Sequence, residues 1–434
     1  MYNDIERRDI MSLRKEKYVS RLIDKKIEDY LSVFGAISIE GPKWCGKTWT
    51  ALNHANSVVY FDNEDVRNKA NLSLDYVLNN EKPELIDEWN LVPKTWDAVR
   101  RRCDETNERG NYILTCSTKL TDEEQKKSIS HSGAGRIGKI KMYTMSSYES
   151  GDSNGKASLM DMFNDKQENV KISQISLEEI ADLIIRGGWP SNIGIVGDKN
   201  RILPKGYIEA ILDKDMNDDK KRDRTKMLML LKSLARNEST VVSNQTLLND
   251  IEENEERDSI ESRITLDDYL DVLARLHIIE NQNAYSDNYR SPKRVGKSPK
   301  RHFTDPSLAC ACLDLTKEKL VDDLRTFGFM FESMVERDLK VYIESLGGNL
   351  FHFRDNVTGL EVDSILEFPG GDYAAVEIKL GFNGVEIAKK NLLSLYNNMD
   401  KKPKFMCIIV GYFDFVVKDP ETGIYIVPIT ALKP

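Results

Sequence analysis

Eight consecutive residues, Gly41-Pro42-Lys43-Trp44-Cys45-Gly46-Lys47-Thr48, carry the spacing G-x-x-x-x-G-K-[ST] between a predicted strand and a predicted helix. Glycines at the two ends let the backbone curl until its N–H groups point inward at phosphate oxygens, and the following helix N-terminus adds partial positive charge. Lys47 then reaches the β and γ phosphates, and Thr48 offers a hydroxyl to Mg²⁺, a hard cation that prefers oxygen ligands. The nucleotide this chemistry calls for is ATP, with Mg²⁺. Further along, Pro83-Glu84-Leu85-Ile86-Asp87-Glu88 places two acids just past a short apolar strand. Asp87 is the residue to hold a water of the Mg²⁺ shell, and Glu88 the carboxylate to polarise an attacking water. An Asp-Glu pair alone is more often a solvated strand end; the loop upstream is what gives this one a role.

The acid pair resembles a Walker B motif. The segment Tyr112 to Thr118 ends in small hydroxyl residues, where additional-strand ATPases carry a γ-phosphate sensor. Thr115, Ser117 and Thr118 all qualify, and each serves equally well as the cap of a following helix. Arg136, just before a fifth apolar segment, stands where an arginine finger reaches a neighbour's nucleotide in AAA+ ATPases. Its planar fork suits phosphate, and a surface arginine is the equal alternative.

A second constellation lies near the C-terminus. Asp363 falls on a predicted strand and Glu377-x-Lys379 on the next, with a turn at 369–372 between them, which is the PD-(D/E)xK layout. Alternation along a strand puts Glu377 and Lys379 on one face. Asp363 and Glu377 could then share a divalent metal with Glu332 from a preceding helix, while Lys379 orients a water for phosphodiester cleavage. Glu-x-Lys at a strand end is common by chance, so a purely structural role for these acids stays open. Between 290 and 301, Arg290, Lys293, Arg294, Lys297, Lys300 and Arg301 alternate with Ser, Pro and Gly and no acid. Such a basic loop fits contact with a phosphate backbone as well as it fits a solvated turn.

The elements that must position these groups follow from length and periodicity. At roughly 150 residues per domain, 434 residues imply about three modules. The composition is globular, with 40% hydrophobic and 31% charged residues. A net charge of −9 excludes a chain that coats nucleic acid with its whole surface, so any such contact must be local. The six cysteines lack paired metal spacing, and Cys310 and Cys312 read as part of a buried helix. With no export signal and no apolar stretch long enough to cross a bilayer, the expectation is a cytoplasmic protein without membrane contact. Short apolar segments alternate with helix-period sequence up to Glu149, predicting a parallel sheet covered on both faces. The chain then divides into an α/β nucleotide-binding core over 1–150, a helical lid over 151–221, three helices and a hairpin read as a winged helix over 222–305, and a separate α/β domain over 306–434.

Taken together these residues resemble the prokaryotic AAA-type ATPases that carry a C-terminal domain of unknown function related to restriction-endonuclease folds. The matching segments include the phosphate loop, Leu85-Ile86-Asp87-Glu88-Trp89, Ala134-Gly135-Arg136-Ile137, Arg186-Gly187-Gly188-Trp189-Pro190, Lys300-Arg301-His302-Phe303-Thr304-Asp305, Phe331-Glu332, Glu361-Val362-Asp363 and Glu377-Ile378-Lys379. Two departures, Cys116 where glycine is usual and Trp89 where an aliphatic residue is usual, remove no group the chemistry needs. The resemblance implies a parallel-sheet P-loop ATPase core with helical lid, followed by a winged helix and a restriction-endonuclease-like domain. It implies three competing activities: an ATP-driven switch acting on or near DNA, a nucleotide-regulated module binding nucleic acid or protein, and an ATP-gated nuclease. Oligomerisation is left open.

Overall fold

The structure, a computed structural model, describes residues 13, 15–215, 222–252, 263–286, 299–355 and 357–434. The chain forms two compact units, one running to Thr144 and including Arg275–His277, the other comprising Met145–Ala274 and Ile278–Pro434.

The first unit is built on five parallel strands, β1 (Ala36–Glu40), β2 (Ser57–Tyr60), β3 (Glu84–Asp87), β4 (Tyr112–Cys116) and β5 (Ile137–Lys141), in the order β2-β3-β4-β1-β5. Helices α1 (Asp24–Val33), α2 (Lys47–Asn53), α3 (Glu64–Leu72), α4 (Thr95–Thr106) and α5 (Asp122–Ser128) intervene or flank. The strands are apolar on both faces because both faces are covered. Ala36, Ile86, Tyr112 and Leu114 face one cluster with Trp89, Trp96 and Val99. Ile37, Ile39, Leu85 and Ile113, one position out of phase, face another with Ile27, Ala51 and Leu52. The fifth strand stops at Lys141. The parallel register pairs Ile39 with Thr115 and Tyr60 with Asp87, so the carboxyl ends of β1, β3 and β4 share one edge.

In the second unit, α7 (Leu177–Arg186) follows β6 (Ala157–Ser158), α6 (Leu159–Phe163) and β7 (Val170–Lys171). It starts at a capping box in which Ser176 and Glu179 satisfy each other's backbone N–H groups. Helix α8 (Ile202–Ala210) continues this part. Helices α9 (Arg224–Arg236), α10 (Asn244–Glu252) and α11 (Arg263–Arg275) precede an antiparallel pair, β8 (Ile279–Gln282) and β9 (Lys300–Phe303). Then come α12 (Pro306–Cys312), α13 (Lys317–Asp322) and the 22-residue α14 (Leu324–Ser345), whose first turn is capped by the Asp323 carboxylate. Cys310 and Cys312 are indeed in a buried helix.

The remaining elements, β10 (Asn349–Arg354), β11 (Glu361–Glu367), β12 (Tyr373–Gly381), α15 (Val385–Asn398), β13 (Phe405–Tyr412), β14 (Phe415–Lys418), β15 (Tyr425–Pro428) and β16 (Leu432–Lys433), complete the unit. Its seven-stranded sheet runs β10-β11-β12-β13-β15-β14-β7. The first three strands are an antiparallel meander; β12 pairs with β13 in parallel through the crossover helix α15. Residues 151–171, expected with the lid, instead contribute strands here: β7 joins β14 and β6 pairs with β16.

The segments around Trp189 and Asp305 meet in a buried ionic hub. Asp305 accepts from the Gly188 amide (2.9 Å) and from Arg337 (3.1 Å), whose guanidinium also donates to Asp338 at 2.7 Å. Asp338 in turn accepts from the Ser147 amide at 3.1 Å, and Trp189 donates to Ser307 at 2.9 Å. Glycine is required at 187 and 188, where a Cβ would lie 2.4 Å from the Asp305 carboxylate and 2.0 Å from the Met145 carbonyl oxygen.

Candidate functional site

The loop from Gly41 to Thr48 leaves the carboxyl end of β1 and enters α2. Gly46 takes φ 103°, a conformation open to glycine. At Gly41 a Cβ would stand 2.2 Å from the Met142 carbonyl oxygen. Gly41→Ala is therefore expected to cost about 1–3 kcal/mol of first-unit stability through overpacking, read as a lower denaturant midpoint. Trp44 takes φ 62° and is exposed, whereas Cys45 is buried in the core beneath the loop. Pro42 is also buried and Lys43 half-buried. The Lys47 ammonium, 5% exposed as a residue, donates to the carbonyls of Gly41 (3.0 Å) and Pro42 (2.8 Å). It thus ties the start of α2 back to the first residues of the loop.

Asp87 ends β3 beside the loop. Its Oδ1 accepts from the Thr48 hydroxyl at 2.8 Å and from the Thr115 hydroxyl at 2.6 Å. Burial pushes its carboxyl upward, against the two hydroxyl donors and the charge of Lys47. Glu88 takes φ 54°, and its carboxylate accepts from the Ser117 hydroxyl (2.6 Å) and amide (3.3 Å). Thr115 therefore braces Asp87 while Ser117 holds Glu88, two separate jobs within one strand end. A hydroxyl beside a carboxylate at the foot of a phosphate loop is an oxygen set that fits Mg²⁺.

Sequence reasoning missed Arg21. Its guanidinium is buried and donates to the Cys45 carbonyl within the loop at 3.0 Å and to the Tyr143 carbonyl at 3.0 Å. No motif marks it, since it lies far upstream of the loop it braces. Arg136 stands apart from the sheet edge that carries Thr48, Asp87 and Thr115. Its carbonyl accepts from the Ala36 amide, at the amino end of β1, and its side chain is paired with Asp104 at 2.6 Å. This pair holds the Asp104 carboxyl below the usual range.

The C-terminal acids do converge. Asp363 on β11 lies 3.3 Å from the Lys379 ammonium on β12, which is also 2.7 Å from Glu377. Burial and the neighbouring Asp363 charge raise the Glu377 carboxyl to about 7. Glu332 on α14, however, is bound to the ammonium of Lys300. Among the described residues, no group of three or more His, Cys, Asp or Glu is placed to hold a metal ion. The expected basic loop is corrected in part. Lys300 is buried and Arg301 is turned inward onto the Val242 carbonyl and the Asn244 side chain, so neither is offered to a phosphate backbone. The other four basic residues, Arg290, Lys293, Arg294 and Lys297, lie outside the described residues. No helix among the described residues is long and apolar enough to cross a membrane.

A five-stranded parallel sheet with a phosphate loop after its first strand, and β4 inserted between β1 and β3, defines a P-loop ATPase domain of the AAA type. In agreement, residues 34–150 match the family described as AAA domain. Residues 177–319 and 327–432 match two domains of unknown function, DUF8612 and DUF4143. No curated protein matches the chain. Among solved structures, a Walker-type ATPase of Pyrococcus abyssi is 12% identical over 69% of this chain and 97% of its own, with a TM-score of 0.43. The ORC2 protein of Aeropyrum pernix in its ADPNP–ADP complexes is 13% identical over 74% of this chain and 98% of its own, with a TM-score of 0.33; its ADP form gives 0.29.

Proposed function

We propose that the AAA domain binds ATP with Mg²⁺ and hydrolyses it, and that the nucleotide state is passed to the second unit. The observation that carries this reading is the meeting of Lys47, Thr48, Asp87, Glu88, Thr115 and Ser117 at one sheet edge, with Asp87 linked to both Thr48 and Thr115. In this reading the loop amides from Gly41 to Thr48 and the Lys47 ammonium bind phosphate oxygens. Asp87 and Thr48 hold Mg²⁺, which when bound offsets charge on the β and γ phosphates. Glu88, released from Ser117, accepts a proton from the attacking water, and Ser117 or Thr115 senses the γ phosphate.

Steady-state phosphate release tests the proposal. Lys47→Ala removes charge-assisted contacts worth roughly 1.5–3 kcal/mol, so ATP binding should weaken by about 10- to 100-fold and turnover should vanish at ordinary ATP concentrations. A wild-type chain that neither binds nor hydrolyses ATP sinks the reading.

We read the second unit as a winged helix, supported by the order of α9, α10, α11 and the β8–β9 pair, joined to a restriction-endonuclease-like fold. The latter is supported by the sequence helix, three-strand meander, helix and parallel strand around Asp363, Glu377 and Lys379. A DNA partner would be met by this winged helix and by Arg290, Lys293, Arg294 and Lys297 of the basic loop. Arg136, at the far end of the sheet from its own phosphate loop, could serve only a neighbour's nucleotide, and would have to leave Asp104 to do so.

A further inference from the structure

The acidic centre of the second unit is more heavily charged than the motif spelling indicates. Besides Glu332, Asp363 and Glu377 it contains Glu336, one helical turn beyond Glu332 on α14 and buried. Four carboxylates packed this closely repel one another strongly, and a nuclease of this layout would neutralise them with divalent metal. Here the neutralising charge is supplied by the chain. Lys300, 2% exposed, extends from β9 and donates to Glu332 and, at 2.9 Å, to Glu336. Lys379 pairs with Asp363 and Glu377. Two ammonium groups carry the same +2 charge as one divalent ion.

One oxygen on each of three of these carboxylates is also engaged, while Glu336 Oε2 has no hydrogen-bond partner among the described residues. Glu336 Oε1 further accepts from Ser364 at 3.3 Å, Asp363 Oδ2 from the Ile378 amide at 2.7 Å, and Glu377 Oε1 from Asn391 at 3.2 Å. His302, two residues along β9 and so on the same face as Lys300, brings its ring within 3.1 Å of Glu336 and 3.3 Å of Glu238. Residues as arranged do not fit a divalent metal, which needs several oxygens converging at about 2.0–2.6 Å, because the Lys300 and Lys379 ammonium groups stand between the carboxylates. A metal ion entering would confront a buried ammonium with nowhere to go unless β9 withdrew.

We infer that Lys300 is the resident cation of this centre: it excludes Mg²⁺ and Mn²⁺ while β9 is seated, and it fastens β9 to α14 by charge. The nuclease-like layout is then a binding site for the chain's own lysine, and metal-dependent cleavage of DNA is not its activity.

The test is Mn²⁺ binding to the full-length, nucleotide-free chain, followed by the electron paramagnetic resonance signal of free Mn²⁺. Each variant is paired with the same variant carrying Asp363→Asn, so that only binding at this centre is counted. The wild type and Lys300→Arg should show no Asp363-dependent Mn²⁺ binding up to about 1 mM, the weak end of protein-bound divalent ions. Lys300→Met, similar in length and uncharged, should gain an Asp363-dependent site at least about tenfold tighter than that limit. Lys300→Met should also melt at a lower temperature than the wild type and recover on adding Mn²⁺, which should leave the wild-type melting temperature unchanged. Asp363-dependent Mn²⁺ binding by the wild type overturns the inference. So does a Lys300→Met chain that gains no site, or one that fails to fold at every Mn²⁺ concentration. Because no nucleotide is present, these outcomes are independent of whether the AAA domain hydrolyses ATP.

Discussion

Glu88→Gln is expected to lower steady-state phosphate release by about 10²–10⁴-fold, the range that a positioned general base contributes, while ATP binding stays within about threefold of wild type, a change smaller than 1 kcal/mol. The amide keeps the size of the side chain and can still bond to the Ser117 hydroxyl, 2.6 Å from the carboxylate in the wild type. It cannot take a proton from water at neutral pH. In the proposed function the phosphate contacts fall to the loop and to Lys47, which donates to the Gly41 and Pro42 carbonyls and not to Glu88, so the loss should appear in kcat rather than in affinity. Single-turnover phosphate release alongside equilibrium binding of a fluorescent ATP analogue separates the two. Unchanged turnover in Glu88→Gln would move the proton acceptor elsewhere, and a matched fall in binding would make Glu88 a structural brace of the loop.

The largest expected effect on stability is at Arg337. Its guanidinium is sandwiched between Asp305 and Asp338, both fully buried, and these carboxylates also tie down the amides of Gly188 and Ser147. Arg337→Met removes the guanidinium that two buried carboxylates share, and removing one partner of such a group costs about 3–5 kcal/mol. The expected reading is a lower denaturant midpoint for the second unit. Arg337→Met combined with Asp305→Asn and Asp338→Asn should recover part of the loss, because the buried negative charges disappear with the arginine. If the single variant is as stable as the wild type, the hub carries no net stabilisation and the glycine-tryptophan segment is held by packing alone.

This hub also explains segments whose meaning was opaque in sequence. Arg186-Gly187-Gly188-Trp189 and the Thr304-Asp305 stretch match a family pattern, but no catalytic chemistry demands them. Their partners are more than 100 residues away along the chain, Gly188 with Asp305 and Trp189 with Ser307. Local spelling has no way to announce such pairings. The same holds for Arg21, which braces the phosphate loop from a helix-entry position with no motif of its own.

The phosphate loop, the acid pair after β3 and the hydroxyls after β4 were legible because each depends on a short contiguous pattern: glycines where the backbone must curl, a lysine and a hydroxyl at fixed offsets, an apolar run ending in acid. Chain order alone then implied a parallel sheet, since charged helical sequence separates every pair of strands. What the sequence by itself determined is therefore which residues meet at the sheet edge of the first unit. Tertiary structure decided which charges meet. Lys300 reads as one of six cations on a solvated basic loop, yet the pleat of β9 and its packing against α14 turn it inward onto Glu332 and Glu336. A lysine's partner is set by where strands and helices cross in space, and that crossing converts an apparent metal centre into one neutralised by the protein's own ammonium groups.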